Sequence, residues 1–242
     1  MMPRWQRGHA AGCRPADGSS NTTEFLPRGS KVLLLFSGGI DSPVALKLLK
    51  KYFKVTPLHF VVSRFYEIGY AKIMENIFSQ IFPKLNVKKG FLVPFSDVLE
   101  EVSKKAKRKY RCLLCRRCML LAAEMLCKKH GFDAIATAEV LAQKASQTLF
   151  NMVSTHYALK YPVLHPLLCF DKEEIVNIAR KHELYLEEHL GSCFLAPKYP
   201  VTKASPEKVQ KLFEKLEIME RLKVAVKNAV LTENFSEIKS IE

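Results

Sequence analysis

From Lys31 onward the chain alternates short apolar runs of strand length with longer stretches whose apolar residues recur at helical spacing. That alternation predicts an α/β fold, a parallel sheet with helices on both faces. Residues 32–36 are unbroken apolar sequence, as a strand buried on both faces requires. Further strands are expected at 55–62, 88–94, 132–137 and 163–166, and helices at 70–82, 96–109, 112–130 and 172–182. From Pro206 the chain is rich in Lys and Glu, with Val209, Leu212, Leu216, Met219, Leu222 and Val226 at helical intervals. One or two helices are expected there, laid on the exterior of the domain or offered to a partner. Residues 1–30 show no periodicity and are rich in Gly, Ser, Pro, Asn and Thr, and Leu26 to Ser30 resemble a protease-cleavable linker. The expected organisation is a disordered or engineered leader at 1–30, an α/β domain at 31–205 and a helical extension at 206–242.

A chain of 242 residues, 48% of them apolar, suffices for one sizeable core and leaves little for a second domain. The formal net charge of +14 argues for a polyanionic partner, with nucleic acid favoured over a membrane surface. No apolar stretch approaches a membrane span and no secretory signal is present, so a cytoplasmic protein is expected. The seven cysteines are odd in number and partly clustered, which suits a reducing compartment better than a disulfide framework. Cys127 and Cys169 lie in apolar sequence and are expected as small core residues, and Cys13 falls in the leader.

The first strand runs directly into Ser37, Gly38, Gly39, Ile40, Asp41, Ser42 and Pro43. Two glycines let backbone amides approach an anion, a helix N-terminus adds partial positive charge, and Pro43 sits where a first helical turn tolerates a missing N–H. The serine hydroxyls can donate to phosphate oxygens, and Asp41 can hold a metal ion that bridges them. No Gly-Lys-Ser/Thr follows, and the third glycine of a dinucleotide fingerprint is missing. Ligands of such sheets bind beyond the carboxyl ends of the strands, where this loop, Thr137 to Glu139 and the segment after Phe60 would meet.

Cys112, Cys115 and Cys118 follow one another at intervals of three along a predicted helix, a spacing used for iron–sulfur and zinc ligands. Redox-active or unligated thiols are the remaining readings, and Cys193 is a distant fourth candidate. Lys104, Lys105, Lys107, Arg108, Lys109 and Arg111, followed by Arg116 and Arg117, form the densest positive run. It reads either as a solvated helix face or as an RNA-binding surface beside the cysteines, with Tyr110 available to stack on a base. Arg64, Phe65 and Tyr66 offer a similar patch after the second strand.

The loop resembles the Ser-Gly-Gly-x-Asp-Ser signature of the ATP pyrophosphatase (PP-loop) superfamily, whose members split ATP between the α and β phosphates and adenylate a substrate. Two further stretches narrow the resemblance. Thr137, Glu139, Gln143, Ser146, Gln147 and Thr148 fall on the Gly-Glu-x-Leu-Gly-Gln-x-x-Ser-Gln-Thr motif of the tRNA 4-thiouridine synthetases, with Ala138 and Ala142 in place of glycines. His165, Pro166, Leu167, Asp171, Lys172 and Ile175 resemble their Arg-Pro-Leu-x-x-x-Asp-Lys-x-x-Ile pattern, with His165 in place of the leading Arg. Cys193 falls on their catalytic cysteine segment. These motifs run in order from about Lys31 to Ser205.

The resemblance implies an ATP-dependent tRNA sulfurtransferase that adenylates a uridine, making 4-thiouridine, and releases AMP and pyrophosphate. Ser37, Gly38, Gly39, Asp41 and Ser42 would bind ATP with Mg²⁺, and Glu139 and Gln143 would help order the nucleotide. Asp41 and Cys193 would be the catalytic residues. The family's THUMP and rhodanese domains are not found in this sequence, so the resemblance implies tRNA binding by the domain's own surface, by a separate subunit or in a homodimer. It also implies, as in rhodanese-free archaeal members, a 4Fe-4S cluster on Cys112, Cys115 and Cys193, fed by sulfide or a persulfide carrier. Three alternatives stay open: 2-thiolation of tRNA, sulfur transfer to a small metabolite, and a non-catalytic iron–sulfur or RNA-binding subunit.

Overall fold

The computed structural model describes residues 26–66, 69–187, 190–191 and 193–241. Most of the expected leader, with Cys13, lies outside the described residues. Residues 26–30 form a turn in which the Gly29 N–H donates to the Tyr52 carbonyl at 2.7 Å.

The sheet contains β1 (Lys31–Leu35), β2 (Lys54–Val61), β3 (Gly90–Pro94), β4 (Ala134–Thr137), β5 (Val163–Leu164) and β6 (Val230–Thr232), in the order β5-β4-β1-β2-β3-β6. Five strands run parallel, and β6 pairs antiparallel with β3, with Phe91 opposite Leu231. β1 is central and lined by wholly buried Val32, Leu33 and Leu34, as its unbroken apolar run requires.

The helices are α1 (Asp41–Leu49), α2 (Tyr70–Lys84), α3 (Ser96–Lys105), α4 (Arg111–His130), α5 (Leu149–His156), α6 (Lys172–Lys181), α7 (Pro206–Glu214) and α8 (Met219–Lys227). α1 packs with α6, whereas α4 packs with α3, α5, α7 and α8, so helices gather into separate layers about the sheet. The chain runs from β1 through β2 to β3, then returns to place β4 on the other side of β1. That reversal puts the topological switch point between β1 and β4, where α/β sheets bind ligands.

Two differences from the sequence reading matter. The helix expected at 96–109 breaks at Ala106, whose backbone is extended, and restarts after a 3₁₀ turn at Arg108–Tyr110. The expected extension supplies two helices, but it also contributes β6 and a 3₁₀ turn at Phe235–Ser240, so it completes the sheet as well as covering it.

Candidate functional site

Phe36 prolongs β1, its N–H donating to the Leu58 carbonyl at 2.8 Å, before the chain turns. In the turn the Ser37 N–H donates to Ser42 Oγ at 3.0 Å, and the two serine hydroxyls lie 2.9 Å apart. Gly38 has φ +79°, and a Cβ there would come within 2.7 Å of Met74 Sδ, so the turn requires glycine. α1 starts at Asp41, which places its N-terminus beside the loop amides. Lys172 Nζ donates to Asp41 Oδ1 at 3.0 Å, whereas Asp171 caps α6 in a capping box with Glu174. Of that expected pair, the lysine faces the loop and the aspartate secures a helix.

A cavity of about 300 Å³ opens at the carboxyl ends of β1, β2 and β4. Ser37, Asp41 and Ser42 form one wall, Thr137, Ala138 and Glu139 another, and Cys112 and Cys115 of α4 with Cys193 a third. His59 and Tyr66 also line it. His59 is buried, with Nδ1 2.8 Å from the Phe36 carbonyl and Nε2 2.6 Å from the Tyr70 hydroxyl. Burial holds its pKa down at about 4, so it is neutral near pH 7. Gln143 does not line the cavity; it lies exposed on a turn, whereas buried Gln147 from the same motif faces in.

The cysteines divide by helix geometry. Each step of three residues turns about 60° short of a full circle, so the third thiol falls about 120° from the first. Cys112 and Cys115 share the cavity face of α4 with Arg111, Arg116 and Met119. Cys118 turns into the core with no exposed surface, where burial pushes its thiol up to about 12. Burial also raises the thiols of Cys112, Cys115 and Cys193, and for Cys112 and Cys115 the other thiols of the cavity add to the rise. Tyr66 responds in the same way, raised first by burial and then by Cys193, Cys115 and Cys112. Cys127 is buried as expected, but Cys169 is exposed: it sits in the turn between β5 and α6, outside the core.

Behind the cavity lies a polar cluster that sequence reasoning did not assemble. Glu139 is 1% exposed and ion-paired with Arg116 of α4. His165 Nδ1 is 3.3 Å from Glu139 Oε2 and 2.8 Å from Thr137 Oγ1, and the His156 ring lies 5.0 Å from that of His165. Glu139, His156 and His165 lie close enough together to share a metal ion, but the Arg116 guanidinium already occupies the same carboxylate oxygen. Burial depresses His156 to about 3 and His165 to about 4, with the Arg116 charge a further cause in both. Burial raises Glu139, and Arg116 opposes that rise.

The basic run is only partly free to meet solvent. Lys104 and Lys105 pair with Glu100 and Glu101, and Lys105 also donates to the Leu216 carbonyl at 2.8 Å. Arg111 donates to the Ser103 carbonyl at 2.7 Å. Arg117 is 3% exposed, donates to the carbonyls of Thr155 and Tyr157 and to Gln210, and stacks over Phe213. Lys107, Arg108 and Lys109 stand exposed around the short turn before α4. Arg64 pairs with Asp97 and Glu100.

Comparison with known proteins adds three findings. The family model described as thiamine biosynthesis protein (ThiI) matches residues 28–218. The chain is 37% identical over 201 residues to the probable tRNA sulfurtransferase of Methanocaldococcus jannaschii, covering 80% of this chain and 52% of that protein. It is 37% identical over 216 residues to the probable tRNA sulfurtransferase of Thermus thermophilus, covering 84% and 52% respectively. Among solved structures it resembles a 4-thiouridine synthetase in complex with RNA and with bound ATP, at TM-score 0.75 and 31% identity, covering 84% of this chain and 55% of that one. The U34-tRNA thiolase NcsA from Methanococcus maripaludis, solved with its 4Fe-4S cluster, matches at TM-score 0.51 and 17% identity over 91% of this chain and 74% of that one, a likeness of fold alone. The chain spans about half the length of the curated relatives it matches.

Proposed function

Because the chain belongs to the ThiI family, whose curated relatives are named tRNA sulfurtransferases, we propose that it carries the ATP-dependent step of tRNA thiolation, with 4-thiouridine as its product. The observation that carries this reading is that Cys112, Cys115 and Cys193 share one cavity with Ser37, Asp41, Ser42 and Glu139. A nucleotide-activating loop and sulfur-bearing side chains within one cavity are what adenylation followed by thiolation needs.

In the proposed reaction the uridine carbonyl oxygen attacks the α phosphorus of ATP. Pyrophosphate leaves, and the oxygen is then carried as part of AMP. A sulfur nucleophile attacks the activated ring carbon and AMP departs with the former carbonyl oxygen. The backbone N–H groups of Gly38 and Gly39, the hydroxyls of Ser37 and Ser42 and the N-terminus of α1 would hold the phosphates. Asp41 would hold Mg²⁺ there, with Lys172 beside it to neutralise phosphate charge. Gln147 and Ser146, which line the cavity, are better placed than Gln143 to order the nucleotide or base.

The donor set also fits an iron–sulfur cluster. Three thiols converge on one cavity, the donor chemistry an iron–sulfur group takes, and a bound metal would hold them as thiolates against the burial that otherwise keeps them protonated. An iron–sulfur group held by Cys112, Cys115 and Cys193 would leave an open iron position for sulfide when bound. The test is to incubate anaerobically prepared protein with tRNA, Mg·ATP and sulfide. tRNA-dependent pyrophosphate release and 4-thiouridine in the digested tRNA are expected. Pyrophosphate release without any thionucleoside would place the acceptor elsewhere, and 2-thiouridine would change the position of attack.

A further inference from the structure

Residues 193–204 form a strap that leaves the cavity at Cys193 and crosses the surface to α5. It is clamped at both ends. The Phe194 N–H donates to the Phe65 carbonyl at 3.0 Å, and the Val201 N–H to the Lys109 carbonyl at 3.1 Å. Asn151 Nδ2 donates to the Val201 carbonyl at 2.8 Å, Thr148 Oγ1 to the Thr202 carbonyl at 2.6 Å, and Ser154 Oγ to the Ala204 carbonyl at 2.6 Å. Asn151 and Ser154 are wholly buried, so α5 uses its inward polar groups to fix the strap.

The strap and the outer face of α5 nevertheless show large aromatic rings to solvent. Phe194 is 61% exposed, Tyr199 78% and Phe150, on the outer face of α5, 56%. Two of the rings carry a cation: Lys203 Nζ lies 4.4 Å from the centre of Phe150, and Lys198 Nζ 5.6 Å from that of Tyr199. Lys109, whose carbonyl holds Val201, lies 5.6 Å from the Tyr110 ring. Interleaved rings and lysines are the pattern of surfaces that stack unpaired bases while tracking their phosphates. Protein interface cores are instead depleted in lysine, which sets this strip apart from a subunit contact.

Building on the tRNA reading above, we propose that Phe150, Phe194 and Tyr199, with Lys198 and Lys203, form a stacking surface for unpaired nucleotides of the RNA substrate, leading them to the cavity mouth beside Cys193. Phe194 follows Cys193 in sequence and stands exposed just outside the cavity lining, where a base could stack at the mouth. The Lys107, Arg108 and Lys109 turn, joined to the strap through the Lys109 carbonyl, would add phosphate contacts at its side.

The experiment compares binding of a short single-stranded RNA, a blunt RNA duplex and tRNA to wild type and to Phe150→Ala, Phe194→Ala and Tyr199→Ala, read by quenching of 2-aminopurine placed in the unpaired stretch. Each substitution should weaken single-strand and tRNA binding by about fivefold or more and diminish the quenching, with duplex binding unchanged. Phe194→Trp should restore both, whereas Phe194→Leu should not. Unchanged ATP binding and melting temperature verify that the variants are folded. If wild type binds and thiolates tRNA but the three variants bind the single strand as tightly, the stacking surface is wrong and the thiolation reading stands. If wild type binds no RNA, both fail. If the substitutions convert a dimer to a monomer without altering RNA binding, the strip belongs to a second copy of the chain and the proposal is overturned.

Discussion

Lys172 Nζ lies 3.0 Å from Asp41 Oδ1, joining the head of α6 to the head of α1 across 131 residues of sequence. The pair is partly exposed, so its net contribution to stability is under about 1 kcal/mol. Its significance is positional, because it keeps a lysine and a carboxylate together at the place where the phosphates and their metal would sit.

Asp41→Asn should therefore abolish tRNA-dependent pyrophosphate release while moving the melting temperature by no more than about 3 °C. Lys172→Met should raise KM for ATP more than it lowers kcat, since the lysine can neutralise phosphate charge in ground and transition states alike. A folded Asp41→Asn protein that releases pyrophosphate at the wild-type rate would show that the ATP site has been misassigned.

The two environments on α4 separate cavity thiols from a core thiol. Cys193→Ala and Cys115→Ala should lose iron, acid-labile sulfide and thiolation. Cys118→Ala should keep all three and cost about 1 kcal/mol, because it empties a small volume in a packed interior. Iron analysis beside urea unfolding checks this, and loss of iron from folded Cys118→Ala would make that thiol a ligand.

Ala142 has φ +61°, a left-handed conformation that costs a side-chain-bearing residue about 1 kcal/mol. The family motif has glycine at this position, and the turn is closed by the Ala142 N–H donating to the Gln147 carbonyl at 3.0 Å. Relief of the strain is partly offset by glycine's freedom in the unfolded chain. Ala142→Gly should thus raise the urea midpoint slightly, and a clear fall would mean that the methyl group is packed to advantage.

One buried histidine, His59, and two partly buried ones, His156 and His165, should set the acid limit of stability. His59 and His165 titrate at about 4 and His156 at about 3 in the fold, against 6.5 when exposed. Between these values the unfolded chain binds more protons than the native one, so stability rises with pH and is lost on acidification. Full stability should hold above about pH 6.5 and decline steadily to about pH 4. His59→Gln should flatten that slope in a series of unfolding midpoints; an unaltered slope would indicate that His59 is charged in the native state.

Replacing Lys107, Arg108 and Lys109 by Ala should weaken tRNA binding uniformly and reduce the slope of log affinity against log salt. The reduction should be somewhat under one unit for each phosphate contact removed. Titrations at several salt concentrations decide it, and an unchanged slope would return these residues to an ordinary solvated turn.

The parallel sheet and the glycine turn after β1 were legible in the sequence because the first strands carry their own burial signal and Gly38 marks a backbone that favours glycine. Residues 230–232 gave no such warning. A three-residue strand has no period of its own, and β6 exists only because β3 presents an open edge to it. Arg116 and Arg117 belong to a basic run, and charge in sequence implies solvent, yet one pairs with Glu139 and the other ties α4 to the last carbonyls of α5 and to Gln210 of α7 from within. The His156 and His165 pair is spread over two elements, so only the fold could assemble it. The cysteine triplet was legible as chemistry but not as geometry: an interval of three reads as one face, while the turn of the helix carries Cys118 off it.

The closing role of β6 has a consequence for synthesis. Gly90, Phe91 and Leu92 present unpaired backbone along one side of β3 until Val230, Leu231 and Thr232 arrive to cover it. On the ribosome that edge stays open while some 140 further residues are made, long after α1 and β2 are able to assemble. An open edge is a template for neighbouring chains, and chains truncated before residue 230 should precipitate even though they retain the whole cavity. The last segment of the sheet acts as a molecular seal, and expression yield, more than catalysis, should register its loss.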